Sequence, residues 1–274
     1  MRNLWKRFSI TLIAGALLLS GCSASGLSAS KELTPSEVID KTVKAMSEDS
    51  YTYEMKMKQG ITTEMFGQEQ TVNIDMNTNV DITTKPIALH TKGTVRANGI
   101  QMPVEMYMAD NAMYDYSPDK GWTKVAVNTS AFDVSQDPTS GLKELEKVFE
   151  RLGGKTLPKG VSVKKVNGAY VLQVDNAVLQ SDPSFAQMLK EQLGEGFKSG
   201  GTFSGTDLSQ IKIENYKQQV WIDEKTFKQT KTIMDAKVSL PDMKLDQHLE
   251  LNLKGEYKGK IEVPAEVKNS AKAM

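Results

Sequence analysis

The chain has 274 residues, 34 basic and 34 acidic side chains, a formal net charge of zero and one cysteine, Cys22. A chain with no basic excess gives no reason to expect a nucleic-acid partner, and one cysteine excludes a disulfide within the chain, so stability must come from packing. The length allows one large β domain or two small ones and is enough for a sizeable core.

The N-terminus reads as a targeting device. Arg2, Lys6 and Arg7 precede an apolar run from Ile10 to Leu19, broken only by Thr11 and Gly15. Such a run is too short to span a bilayer stably and has the pattern of a signal peptide, here residues 1–21. It ends in Leu19-Ser20-Gly21-Cys22, which resembles the bacterial lipobox. The resemblance implies that the Cys22 thiol receives a diacylglyceryl group and that cleavage leaves Cys22 as the first mature residue. The expected location is the extracytoplasmic face of a cell membrane, in a Gram-positive bacterium on this reading. The acyl chains on Cys22 are the anchor.

Residues 22–31 are small and polar and read as a flexible tether. Thr34-Pro35-Ser36-Glu37 then has the pattern of a capping box, with Pro35 at the first helical position. Val38, Ile39, Thr42, Val43 and Met46 follow on one helical face. From Tyr51 onward the period changes to two. Tyr51, Tyr53, Met55 and Met57 alternate with polar residues, as do Val72, Ile74, Met76, Val80 and Ile82, which predicts long strands wet on one face. Asn98-Gly99, Asp110-Asn111 and Asn167-Gly168 mark tight hairpins. A helical stripe runs from Leu142 to Leu152, and a further helix is expected from Pro183 to Leu193. The glycine-rich stretch from Gly194 to Gly205 reads as a loop, either a lid or an exposed linker. Three long strands close the chain, roughly Ile211 to Ile222, Phe227 to Leu240 and Met243 to Tyr257, and the tail after Pro264 is expected to fray.

These elements amount to about eleven antiparallel strands and three helices, an α+β chain that is mostly β. Strands this long and this one-sided need their apolar face covered. A long curved antiparallel sheet forming an open half-barrel, with three helices over its concave face, meets that need in a single domain, residues 32–264. The order of capped helix, aromatic-rich first strand, late Trp221-Ile222-Asp223-x-x-Thr226 and closing Ile261-Glu262-Val263-Pro264 resembles the LolA/LppX/LprG-like lipoprotein carriers and their uncharacterised Gram-positive relatives. The resemblance implies a half-barrel whose concave face holds acyl chains, with no catalytic residues.

Methionine is the notable composition, 14 in all. Met55, Met57, Met76, Met102, Met106, Met108 and Met234, with Trp221, form the candidate lining of a ligand cavity. Flexible thioethers suit a guest of variable shape, although the same residues could simply fill a core. No nucleophile elbow, zinc-binding helix motif or phosphate loop occurs, and the two histidines, His90 and His248, fall on the polar phase of their strands. The pattern points to no enzyme, no metal and no cofactor. Two readings remain: a membrane-anchored protein binding a lipid or other apolar ligand, or an envelope interaction protein with a filled core and a protein or wall partner.

Overall fold

A computed structural model describes residues 33–46, 50–65, 67–84, 86–127, 142–143, 146–147, 157–187, 189–190 and 210–273. Cys22, its leader and tether, most of the stripe from Leu142 to Leu152 and the Gly194 to Gly205 stretch lie outside these residues.

The first helix, α1 (Pro35–Met46), starts as its sequence dictates. The Thr34 backbone N–H donates to Glu37 Oε2 at 2.7 Å and the Glu37 N–H donates to Thr34 Oγ1 at 3.3 Å, a reciprocal capping box. Six strands follow as an up-and-down meander: β1 (Tyr51–Met65), β2 (Gln68–Thr84), β3 (Ile87–Ala97), β4 (Ile100–Ala109), β5 (Ala112–Ser117) and β6 (Gly121–Ala126). Asn98 and Gly99 both take positive φ, as do Asp110 with Asn111 and Asn167 with Gly168. Two successive residues in that region match the right-handed strand twist, which is why these pairs make two-residue hairpins.

The hairpin β7 (Val161–Val166) and β8 (Ala169–Asp175) comes next, then the short helix α2 (Ala177–Ser181). The long strands β9 (Lys212–Asp223), β10 (Gln229–Leu240) and β11 (Met243–Glu256) follow, then α3 (Ala265–Ser270) and the two-residue strand β12 (Lys272–Ala273). One sheet holds all twelve strands in the order β12-β6-β5-β4-β3-β2-β1-β11-β10-β9-β8-β7. The sheet is open and curved, and β1 and β11 join its two halves by antiparallel pairing, Met57 opposite Leu249.

Alternation sorts the side chains into an inner face, one end of which α1 covers, and an outer face. Val38 and Ile39 of α1 share a core with Leu172, Val174, Val220 and Ile222, and Phe185 and Leu189 join it. Met46, at the end of α1, packs with Tyr51, Tyr53, Val80, Leu89 and Met108. A third inner cluster, Ile211, Val238, Leu240, Met243 and Leu245, sits at the other end of β10 and β11.

A further core lies on the outer face, contrary to the expectation that this face is wet throughout. Ala88, Ala109, Ala112 and Tyr114 pack there against Ile261, Val263 and Val267 of the C-terminal segment. The three alanines leave room for a chain to lie flat on the sheet. The expectation of a frayed tail after Pro264 is thereby corrected: α3 buries Val267, and Lys272 and Ala273 pair in parallel with Thr123 and Lys124 of β6.

Gly93 of β3 stands directly opposite Thr78 of β2. A Cβ there would run into the carbonyl oxygen of Asn77 and the Cα of Thr78. Gly93→Ala must therefore push two paired strands apart, and it is expected to destabilise the domain by about 2 kcal/mol, as overpacking does; urea denaturation measures this.

Candidate functional site

The register assembles the inner face row by row. Leu249 of β11 stands between Met234 of β10 and Met57 of β1. Met57 faces Met76 of β2, Met76 faces Val95 of β3, and Val95 faces Met102 of β4. The result is one unbroken line across six strands, Met234–Leu249–Met57–Met76–Val95–Met102. All but Met102 are half-buried, and Met102 is 36% exposed. The row therefore lies between the buried core under Met46 and Tyr53 on one side and the cluster around Val238 and Leu245 on the other.

One step beyond this row come Gln247, Gln59, Ile74, Ala97 and Ile100, again on successive strands. Ile100 is 67% exposed, and Val72, a further step along β2, is 39% exposed. The inner face of β1 to β4 thus grades from closed at the α1 end to open at the far hairpins. From the Tyr53 level to the Ile61 level, no inner position of β1, β2, β3, β4, β10 or β11 holds an acid or a base.

The candidate residues divide on this geometry. Met57, Met76, Met102 and Met234 lie in the row, and Met55 and Met106 sit a step or more deeper, partly buried against the core. Met108, at 2% exposure, is wholly a core residue under α1. Trp221 is corrected: it lies on the outer face. Its neighbours Val220 and Ile222 are the buried, inward residues of β9, and Lys231 of the outer face stands over the indole at 5.8 Å. The Trp-Ile-Asp-x-x-Thr segment is a strand and turn. Asp223 Oδ1 accepts hydrogen bonds from the backbone N–H groups of Lys225 and Thr226 and from the Thr226 hydroxyl. The two backbone-and-hydroxyl bonds from Thr226 are the main reason that carboxyl is held below its usual range.

The outer face carries the polar groups. His90 donates or accepts at Nε2 with Glu105 Oε1 at 3.0 Å and stacks on Tyr107 with ring centres 4.3 Å apart. The Tyr107 hydroxyl donates to the same Glu105 oxygen at 3.0 Å, and Lys92 pairs with Glu105 Oε2 at 3.1 Å. Burial would raise the Glu105 carboxyl, but the bonds from His90, Lys92 and Tyr107 outweigh it and hold it low. Burial, reinforced by Glu105, pushes the Tyr107 hydroxyl up to about 12. Glu105 is therefore the hub of a network, a role its place on the polar phase of β4 does not reveal. His248 pairs with Asp235 at 2.6 Å on the outer face of β10 and β11.

A cleft of about 420 Å³ opens beside Asp175, Asn215, Lys217, Asp235, Lys237 and Asp246. Its lining is charged and includes none of the candidate methionines. Among the described residues, no group of three or more His, Cys, Asp or Glu side chains is placed to hold a metal ion.

Fold and inner face together define an open, mostly β half-barrel whose inner face is uncharged and thioether-rich across β1 to β4, β10 and β11. The chain belongs to the family described as DUF6612, a family of unknown function, which matches residues 34–272. No curated protein matches the sequence. Among solved structures, the chain is similar to a DUF1329 family protein from Desulfovibrio piger, at 10% identity and a TM-score of 0.27, over 80% of this chain and 91% of that one. It is similar to a LolA superfamily protein from Nitrosomonas europaea, at 9% identity and a TM-score of 0.22, over 86% and 97% of the two chains. A domain assigned to outer membrane lipoprotein sorting from Vibrio parahaemolyticus aligns at 12% identity and a TM-score of 0.27, over 82% and 94%. At these values nothing about ligand or partner passes from them to this chain.

Proposed function

We propose that the protein is an extracytoplasmic lipoprotein, anchored through acyl chains on Cys22, that binds the acyl part of a lipid or a similar apolar ligand on its inner face. The observation that carries this reading is the half-exposed row from Met234 to Met102. A strand face needed only for stability is closed by packing. This one is closed at the α1 end, yet it presents four thioethers in line and then Ile100 and Val72 to solvent. Unbranched, polarisable side chains adapt to a flexible guest, and an uncharged surface lets a hydrocarbon chain lie on it without stranding a charge. Binding of this kind needs no reacting group, and the role is that of a carrier or local handler of its ligand.

The anchor rests on Leu19-Ser20-Gly21-Cys22 behind a basic and apolar leader. Cys22→Ser is expected to stop incorporation of labelled palmitate and to leave the protein unprocessed or released from the membrane. Gel autoradiography of membrane and medium fractions reads this, and equal labelling of wild type and variant would refute the anchor.

A further inference from the structure

The inner face of β1 to β4, β10 and β11 is uncharged but not wholly apolar, and three of its polar side chains are short of hydrogen-bond partners among the described residues. Gln59 and Gln247 stand directly opposite each other on β1 and β11, one step from the Met57–Met76 pair. Both are half-buried. The only hydrogen bond of the Gln247 side chain among the described residues is a weak one, its Nε2 donating to Met57 Sδ at 3.5 Å; the Gln59 amide has none. On the other side of the methionine row is Thr78, 2% exposed, whose Oγ1 has no hydrogen-bond partner among the described residues. Leaving a buried hydroxyl unpaired costs stability. Two amides set into an otherwise apolar row also lower the value of that row as a mere packing surface.

These groups offer N–H and O–H donors to an incoming oxygen. They offer no cation. An ionised carboxylate seated here would be stripped of water with no counter-charge to meet it, which is strongly unfavourable. An ester carbonyl is neutral, accepts hydrogen bonds and travels with an acyl chain. We infer that this face selects an uncharged acyl ester over an ionised fatty acid, with Gln59 and Gln247 taking the ester group beside the methionine row and Thr78 meeting a second ligand oxygen at the deep end. This inference rests on the reading of the inner face as an acyl site.

The test uses the full-length protein in phospholipid vesicles at pH 8 with two photoactivatable probes of the same chain length, a diazirine fatty acid and its monoacylglycerol ester. Mass spectrometry reads the labelling of the peptides spanning β1 and β11. The ester is expected to label them about tenfold more than the acid, each amide bond contributing a few-fold. Gln59→Leu combined with Gln247→Leu should bring that ratio near one while labelling by the acid persists. Thr78→Val, which keeps the shape of the buried side chain, should lower the ratio on its own, so the inference stays refutable if the double variant does not fold. Equal labelling by both probes in the wild type, or a ratio unmoved by these substitutions, overturns the inference and leaves the acyl site standing. No labelling of β1 or β11 by either probe overturns both.

Discussion

Met57→Glu is expected to abolish uptake of a fluorescent acyl-chain probe, while Lys58→Gln, the next residue on the same strand, leaves it nearly unchanged. Met57 sits at the centre of the inner row, opposite Met76 on one side and Leu249 on the other. A carboxylate there meets no cation, because every inner neighbour for two rows in each direction is uncharged. A hydrocarbon laid over it would strand that charge, so affinity should fall by a factor of about 100 or more. Without ligand, Met57 is half-exposed, so the glutamate can reach water and the fold should survive. Lys58 points outward, opposite Asp75 and His248. Fluorescence titration with circular dichroism as the folding control measures both variants. An interaction protein using its outer face predicts the reverse: loss of a partner with outward changes and an effect of Met57→Glu through stability alone.

Removing residues 258–274 is expected to unfold the domain or leave it only marginally stable. The segment looks dispensable by its position at the end of the chain, but Ile261, Val263 and Val267 are all buried against β3 to β6. Each such side chain contributes about 1.5 to 3 kcal/mol on burial, and their sum is comparable with the whole stability of a typical domain, about 5–15 kcal/mol. The deletion also uncovers Ala88, Ala109, Ala112 and Tyr114 together, an apolar patch that should bind a hydrophobic dye. Val267→Asp should move the urea midpoint in the same direction by a smaller amount. A truncated chain with an unchanged midpoint would show that the outer core is not needed.

Most of the strands were legible because their apolar face is never interrupted by a charge. The runs from Tyr51 to Met57 and from Leu249 to Leu253 state their inward side at every second residue, and the Asn-Gly and Asp-Asn pairs fix where the chain reverses. The capping box at Thr34 was equally plain, since both of its partners lie within four residues. Trp221 has the bulk and aromaticity of a cavity residue, but phase and not size decides its face. Val220 and Ile222 on either side already required it to point outward. The outer core was not legible at all. Ala88, Ala109 and Ala112 look like neutral spacers in local sequence, and only the return of the C-terminal segment from more than a hundred residues away makes them a floor. The methionine row needed the same long-range information: the pairing of β1 with β11 brings Met234 and Leu249 alongside Met57 and Met76. Alternation says which face each residue takes but not which strand lies beside it.

The two residues of β12 have a consequence larger than their length. The last strand of an open sheet exposes a ladder of unpaired N–H and C=O groups, a template on which a second copy can assemble into a growing fibre. Lys272 and Ala273 occupy that ladder along β6. At the opposite end, β7 is only six residues long and carries Lys164 and Lys165; a short, cationic strand resists stacking of like copies. The C-terminal segment that seals the outer core thus also guards the molecule against polymerising with itself, which an open half-barrel, unlike a closed barrel, must prevent by separate means.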